Sequence, residues 1–185
     1  MKICVTGKPS SGKSSVVNYL KTLEYNVFNS DEYVHQIYEN GKIGYELIKS
    51  QFGPDFVNDK EVDRKKLGRL VFSDYEQLNK LNKIINPILK TKIGQLDHEK
   101  DWFIELGTYI YYYEYFANTF DKIVLITRKL ENLDTATKTK FEFLFNHLSP
   151  FSKSDAKIDI IIENNSDLKS LFSKVQKYAK SLRLK

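Results

Sequence analysis

The chain has 185 residues, of which 41% are hydrophobic, and this composition fits one α/β domain with an ordinary core and excludes a disordered protein. Its net charge of +5 comes with lysines dispersed along the chain, which favours polyanionic small molecules as ligands and predicts no nucleic-acid partner. A mean hydropathy of -0.46 without a long apolar run predicts no membrane span, and the single cysteine, Cys4, cannot form an internal disulfide.

The first predicted elements flank a phosphate-binding motif. Residues 2–6 form a short β-branched run that predicts a buried strand, with Cys4 as a packed side chain. Residues 7–14 read Gly-Lys-Pro-Ser-Ser-Gly-Lys-Ser, which is the complete G-x-x-x-x-G-K-[ST] pattern. From Ser14 to Leu23 the apolar residues recur at helical spacing. The motif therefore joins a strand to a helix, which is the setting that phosphate binding requires.

Each part of this motif has a chemical role. Glycine lets the backbone wrap closely around a phosphate, and the backbone N–H groups with the helix N-terminus supply partial positive charge. Lys13 adds a charge for the β- and γ-phosphates, and the Ser14 hydroxyl is suited to ligate Mg²⁺. The motif therefore predicts nucleotide binding.

The rest of the chain alternates predicted strands and helices. Strands rich in Val and Ile that alternate with helices are typical of a parallel sheet covered on both faces. The predicted fold class is α/β, a doubly wound parallel sheet of about five strands with helices on both faces. Pro87 is expected to kink or break one long helix. The remaining strands are predicted at 25–29, 102–106, 122–126 and 158–162, and the helices from 31, at 43–52, 64–72, 74 to about 100, and 167–182.

Asp31 follows the second predicted strand, at the edge of the sheet where α/β proteins bind ligands. A carboxylate at this position can accept a proton from an attacking hydroxyl and can contact Mg²⁺ through water. Asp is also a good helix cap, so the same residue could simply begin the helix that follows it. The sequence leaves both roles open.

Further motifs follow one another in a fixed order along nearly the whole chain. Ser30-Asp31 is followed by His35, and Asp63-Arg64 opens a block that ends at Val71-Phe72. In this order the motifs resemble the dephospho-coenzyme A kinase family, which carries out the last step of coenzyme A synthesis. They separate this family from other small phosphate-loop kinases better than the loop does. The other matching stretches are Phe52-Gly53, residues 81–87, Tyr113-Glu114 with residues 120–124, and Asp159 with residues 162–164.

The resemblance implies ATP-dependent phosphorylation of the ribose 3′-hydroxyl of 3′-dephospho-CoA, with Mg²⁺. Asp31 and Lys13 would be the catalytic residues, and Asp31 would orient and deprotonate the hydroxyl. Arg64 would contact the acceptor's phosphate, with His35 and Asn86 as further acceptor-binding residues. The residues implied to bind ATP are Ser10, Ser11, Gly12, Lys13, Ser14, Ser15 and Asn164, the last one near the adenine.

Two of these residues have simpler alternatives. Arg64 could be a surface residue that pairs with Asp63 or Glu61 at the start of a helix. His35 could be a partly buried helix residue that packs beside the sheet. The sequence does not choose between these roles and the acceptor-binding ones.

The sequence departs from the family pattern in three places. The loop has Lys8-Pro9-Ser10 where the family usually has Gly-Ile-Gly, and Asn86-Pro87 replaces His-Pro. In the family's lid a Gln-x-x-Arg…Arg pattern follows the fourth strand, whereas this chain has lysines where those arginines are expected. Lysine supplies charge but no planar bidentate fork. The lid cations are predicted to be Arg128, Lys138 and Lys140.

The predicted organisation is one kinase domain over residues 1–185. A core of about 1–30, 101–127 and 158–185 would carry a helical substrate-binding region at about 31–100 and a lid at about 128–157. We expect a cytoplasmic enzyme, a monomer or weak oligomer, with no nucleic-acid or membrane partner. The alternatives are a nucleoside or nucleotide kinase with another acceptor, and a homologue that binds nucleotide or CoA without turnover.

Overall fold

The computed structural model describes residues 1–139, 157–182 and 184, and these form a five-stranded parallel sheet. The strands are β1 Lys2–Thr6, β2 Asn26–Asn29, β3 Trp102–Glu105, β4 Lys122–Thr127 and β5 Ile160–Glu163. Their spatial order is β2-β3-β1-β4-β5, so Val5 of the central strand pairs with Glu105 on one side and Val124 on the other. The strand order reverses at β1, and the carboxyl end of such a strand is where open α/β sheets bind ligands.

The helices lie where the hydrophobic pattern predicts them. Along the first helix, Val16, Val17 and Leu20 are buried, and each such side chain contributes roughly 1.5–3 kcal/mol relative to exposure. The α/β fold class is confirmed. The α-helices with both ends among the described residues are α1 Lys13–Thr22, α2 Ser30–Ile37, α3 Ile43–Phe52, α4 Arg64–Val71, α5 Tyr75–Gly94 and α6 Leu168–Ser181.

The chain divides into two compact units, which we call the phosphate-loop unit (residues 1–30 and 95–185) and the helical unit (residues 31–94). In the phosphate-loop unit, α1 and α6 pack against the sheet through apolar side chains. Cys4 is fully buried in β1, as predicted, and burial raises the pKa of its thiol. The main core cluster of this unit is Ile3, Val5, Val16, Val17, Leu20, Phe103, Val124, Ile126, Ile162, Leu171, Val175 and Ala179.

The helical unit differs from the prediction in its longest helix. A single helix, α5, runs through Pro87, so a break at that residue is the wrong expectation. Pro87 is exposed, whereas Ile85, Leu89 and Ile93 on the same helix are buried, and their packing offsets the lost backbone hydrogen bond.

The ends of two elements differ from prediction by two residues or more. Helix α5 ends at Gly94 rather than near residue 100, because Asp97 forms a turn in which its carboxylate accepts from the Glu99 N–H at 3.0 Å. Strand β5 begins at Ile160 rather than 158, and the carboxylate of Asp159 accepts from the Ile123 N–H at 2.8 Å just before it. No helix within the described residues has both the length and the apolar content needed to cross a membrane.

Candidate active site

The phosphate loop leaves β1 in a conformation that requires glycine at two positions. Gly7 has φ 152°, and a Cβ there would lie 2.2 Å from the Ile126 carbonyl oxygen. Gly12 has φ 105°, and a Cβ there would lie 2.5 Å from Nδ2 of Asn164. L-residues with a Cβ rarely adopt these angles, and the contact distances leave no space for one. The motif's two glycines are therefore required by both backbone conformation and packing.

The N-terminus of α1 provides the electrostatics of the site. The helix begins at Lys13 and has no acidic residue in its first turn, so the partial positive charge of its N-terminal N–H groups is not offset there. The ammonium of Lys13 folds back over the loop and donates to the Lys8 carbonyl oxygen at 3.0 Å. Ser10 is exposed with φ 59°, and Ser15 lies half-buried in the first turn. This arrangement can bind an anion.

Glu105 is a site residue that the sequence analysis missed. The Ser14 hydroxyl donates to Glu105 Oε1 at 2.8 Å, and this glutamate is only 1% exposed. Glu105 ends β3, which lies directly beside β1 in the sheet. A charged residue at the end of an otherwise apolar strand was the available signal. The strand order that brings it to Ser14 could not be inferred from local patterns.

Asn164 lies beside the loop, immediately after β5. Its Nδ2 donates to the Ser11 carbonyl oxygen at 2.9 Å, and the residue is 5% exposed. Ser11 is also buried, at 2%. Asn164 therefore belongs to the phosphate-loop site, and its predicted place near an adenine stays a prediction.

Asp31 and His35 lie on α2 in the helical unit. They are four residues apart, so they share one face of the helix, and both are exposed. The exposure of His35 does not match the alternative of a partly buried packing residue. Helix α2 begins at Ser30, so Asp31 lies within the first turn and is not the residue before it. An acidic side chain in this turn interacts favourably with the helix dipole.

Arg64 is the first residue of α4 and is exposed. The carboxylate of Asp63 caps this helix by accepting from the Lys66 N–H at 2.9 Å. Among the described residues, no ion pair joins Arg64 to Asp63 or Glu61, so that alternative is not supported. Helix α4 has no acidic residue in its first turn. Along its length it carries four exposed cationic side chains, Arg64, Lys65, Lys66 and Arg69.

The remaining predicted residues lie in different surroundings. Asn86 is 4% exposed on α5, so its amide is enclosed within the protein. Arg128 is exposed after β4, and Lys138 is half-buried. The carboxylate of Asp134 accepts from the Thr137 hydroxyl at 2.7 Å, which lowers the pKa of that aspartate. Lys140 lies outside the described residues.

Comparisons with known proteins agree with the resemblance read from the motifs. The dephospho-CoA kinase family model matches residues 1–109, which is more than half of the chain. The chain belongs to the dephospho-CoA kinase family. A curated dephospho-CoA kinase of Mycoplasma genitalium is 34% identical over 172 residues, covering 90% of this chain and 85% of the relative. One of Fusobacterium nucleatum is 30% identical over 191 residues, covering 98% of each chain.

Solved structures agree on the fold. A Thermus thermophilus protein superposes with a TM-score of 0.69 at 24% identity, over 98% of this chain and 97% of that one. The dephospho-CoA kinase of Campylobacter jejuni gives a TM-score of 0.62 at 23% identity, over 98% of each chain. At these identities the likeness concerns the fold, which is that of the phosphate-loop kinases.

Proposed function

We propose that this chain transfers the γ-phosphoryl group of ATP to the ribose 3′-hydroxyl of 3′-dephospho-CoA, giving coenzyme A and ADP. The observation that carries this proposal is the complete phosphate loop, with hydrogen bonds from Lys13, Ser14 and Asn164, in a member of the dephospho-CoA kinase family. A small-molecule kinase needs little covalent chemistry from the protein, so positioning and charge stabilisation account for most of the catalysis.

The phosphate-loop unit would hold ATP. The loop N–H groups and the N-terminus of α1 would bind phosphate oxygens. Ser10, Ser11 and Ser15 lie in or next to the loop and would take part in ATP binding. Lys13 would leave the Lys8 carbonyl and place its charge on the β- and γ-phosphates. Because these groups carry positive charge before ATP arrives, they require little reorganisation as charge develops in the transition state.

The residues beside the loop fit a Mg²⁺ ion. The hydroxyl of Ser14 and the buried carboxylate of Glu105 place two oxygen atoms 2.8 Å apart. Mg²⁺ prefers oxygen ligands. Ser14 would be a ligand, and Glu105 would orient that hydroxyl. When bound, Mg²⁺ neutralises charge on the transferring phosphoryl group.

The helical unit would hold the acceptor. As the 3′-oxygen bonds to the γ-phosphorus, the bond from that phosphorus to the β–γ bridging oxygen breaks and ADP leaves. The proton of the hydroxyl would pass to the carboxylate of Asp31, which is exposed on α2. Arg64, on the basic surface of α4, would bind acceptor phosphate, and His35 would contact the acceptor. Asn86, whose amide is enclosed, would contribute to the acceptor site from within the helical unit.

We also assign roles to larger regions. Residues of about 31–100, most of which form the helical unit, would be the acceptor-binding region, and Arg128 and Lys138 would be cations of a lid that follows β4. The single cysteine supports a cytoplasmic enzyme, and we propose that it acts as a monomer or weak oligomer. Closure of this lid over ATP would exclude water, which would otherwise accept the phosphoryl group.

The proposal is tested by measuring ADP formation with dephospho-CoA, with coenzyme A, and with a panel of nucleosides and nucleotides. We expect turnover with dephospho-CoA alone. Coenzyme A is the matched control, because it differs only in that its 3′-oxygen already carries a phosphate. Faster turnover with a nucleoside or nucleotide would instead identify a kinase for another acceptor.

The replacement of lid arginines by lysines favours a second candidate function, nucleotide or CoA binding with weak or no turnover. Lysine binds phosphoryl oxygens as a point charge and lacks the two parallel donors of arginine. Tight ATP binding in calorimetry without ADP formation from any acceptor would establish this second function and reject the first.

A further inference from the structure

Asn164 is held by the sheet on one side and contacts the phosphate loop on the other. Its backbone N–H donates to the Thr127 carbonyl at 2.7 Å, which fixes the residue against the end of β4. Its side-chain Nδ2 donates to the Ser11 carbonyl at 2.9 Å across 153 positions of sequence. The amide is therefore a rigid connection between the end of the sheet and the middle of the loop.

The stretch of loop that Asn164 contacts has an unfavourable backbone conformation. Ser10, just before Ser11, has φ 59° without being glycine, and Gly12, just after it, has φ 105°. The left-handed region is unfavourable for an L-residue, so a hydrogen bond from outside the loop helps to hold this conformation. The side-chain oxygen of Ser11 is buried with no hydrogen-bond partner among the described residues, so it gives no such support.

The hydrogen bond to the Ser11 carbonyl also orients the next N–H group. In a trans peptide the C=O and the N–H point in opposite directions, and the described chain has no cis peptide bond. Holding the Ser11 carbonyl towards Asn164 therefore directs the Gly12 N–H away from Asn164. A Cβ on Gly12 would lie only 2.5 Å from Nδ2, so the amide packs directly against this peptide.

We propose that Asn164 is a positioning residue of the phosphate loop, which fixes the Ser11–Gly12 peptide so that its N–H is preset to bind a phosphate oxygen. This role differs from the adenine contact that the family resemblance suggests. Here Asn164 affects binding of the phosphate chain of ATP and not binding of its adenine. The inference rests on the proposed use of ATP by this site.

The test compares Asn164→Asp with Asn165→Asp by calorimetric titration with ATP, inorganic tripolyphosphate and adenosine. Both variants add one negative charge to the segment that follows β5. Only Asn164→Asp loses the donor to Ser11. Asn165 accepts from the Lys129 N–H through Oδ1 at 2.9 Å, which aspartate retains, and the change loses only a long contact of 3.5 Å from its Nδ2 to the exposed Glu163 carboxylate. We expect Asn164→Asp to weaken ATP and tripolyphosphate equally, by about tenfold or more, and adenosine not at all. Asn165→Asp should stay within about twofold of wild type for all three ligands.

Each other outcome has a defined meaning. Weaker ATP and adenosine binding with unchanged tripolyphosphate binding would overturn the inference in favour of an adenine contact. An equal loss in both aspartate variants would overturn it in favour of a charge effect. If Asn164→Asp does not fold, Asn164→Ala removes the amide without adding charge and must weaken tripolyphosphate binding by itself. If the wild-type chain binds neither ATP nor tripolyphosphate, the proposed function fails and not only this inference.

Discussion

The phosphate-loop unit and the helical unit hold their candidate residues in different ways. In the first, Ser14 and Asn164 are fixed by hydrogen bonds of 2.8 and 2.9 Å, and Lys13 rests on the loop through a hydrogen bond of 3.0 Å that it exchanges for phosphate oxygens. In the second, Asp31 and Arg64 are exposed on helix surfaces. Residues fixed in advance stabilise charge without reorganising, whereas exposed side chains order themselves on a ligand. Substitutions in the first unit should therefore change ATP binding and chemistry, and those in the second should mainly change use of the acceptor.

The largest expected effect tests the phosphate-loop side of this comparison. Lys13→Ala removes the charge on the β- and γ-phosphates and should lower kcat by about 10²- to 10³-fold. The unfolding temperature should hardly change, because Lys13 is not part of the apolar core. Steady-state kinetics measure kcat, and thermal unfolding measures the unfolding temperature. Lys21→Ala removes an exposed lysine from the last turn of the same helix and should have no effect on kcat. Wild-type turnover in Lys13→Ala would contradict the assignment of the loop.

Asp31→Asn tests whether the helical unit contributes to chemistry as well as to binding. We expect kcat to fall by about 10²-fold with unchanged ATP affinity, because the amide cannot accept the proton of the 3′-hydroxyl. Glu32→Gln makes the same change one residue later in the first turn of α2 and serves as the control. If both variants keep the wild-type kcat and lose similar thermal stability, Asp31 acts only through the helix dipole.

Glu105→Gln tests the carboxylate beside Ser14. The amide can still accept from the Ser14 hydroxyl but has no charge, so the Mg²⁺ concentration for half-maximal ATP binding should rise by about tenfold. Calorimetric ATP titrations over a range of Mg²⁺ concentrations measure this change. Glu163→Gln alters another glutamate that ends a strand, but one that is exposed, and it should leave the Mg²⁺ dependence unchanged. Equal Mg²⁺ dependence in all three proteins would exclude a role for Glu105 at the metal.

An effect of similar size is expected for the acceptor. Arg64→Ala should raise KM for dephospho-CoA by about tenfold and leave KM for ATP nearly unchanged, because it removes one charge-assisted hydrogen bond to acceptor phosphate. Arg69→Ala removes an equal charge from the same exposed helix and is the matched control. A rise in both KM values for Arg64→Ala would argue against the assignment of this residue to the acceptor.

Most of the fold could be predicted because its elements follow local periodicity. Val16, Val17 and Leu20 recur at helical spacing and are buried together, and all five strands overlap the short apolar runs that predicted them. Pro87 shows where local chemistry was overridden. A proline removes one backbone hydrogen bond, but α5 buries enough apolar surface on either side to remain one helix.

The sequence by itself determined the phosphate loop, because residues 7–14 are contiguous and their glycines, lysine and serine act through the backbone that joins them. Only the tertiary structure decided what surrounds the loop. Glu105 reaches Ser14 across 91 positions, and Asn164 reaches Ser11 across 153. Such contacts depend on which strands lie side by side. That order is set by the burial of the whole sheet, and no local pattern along the chain encodes it.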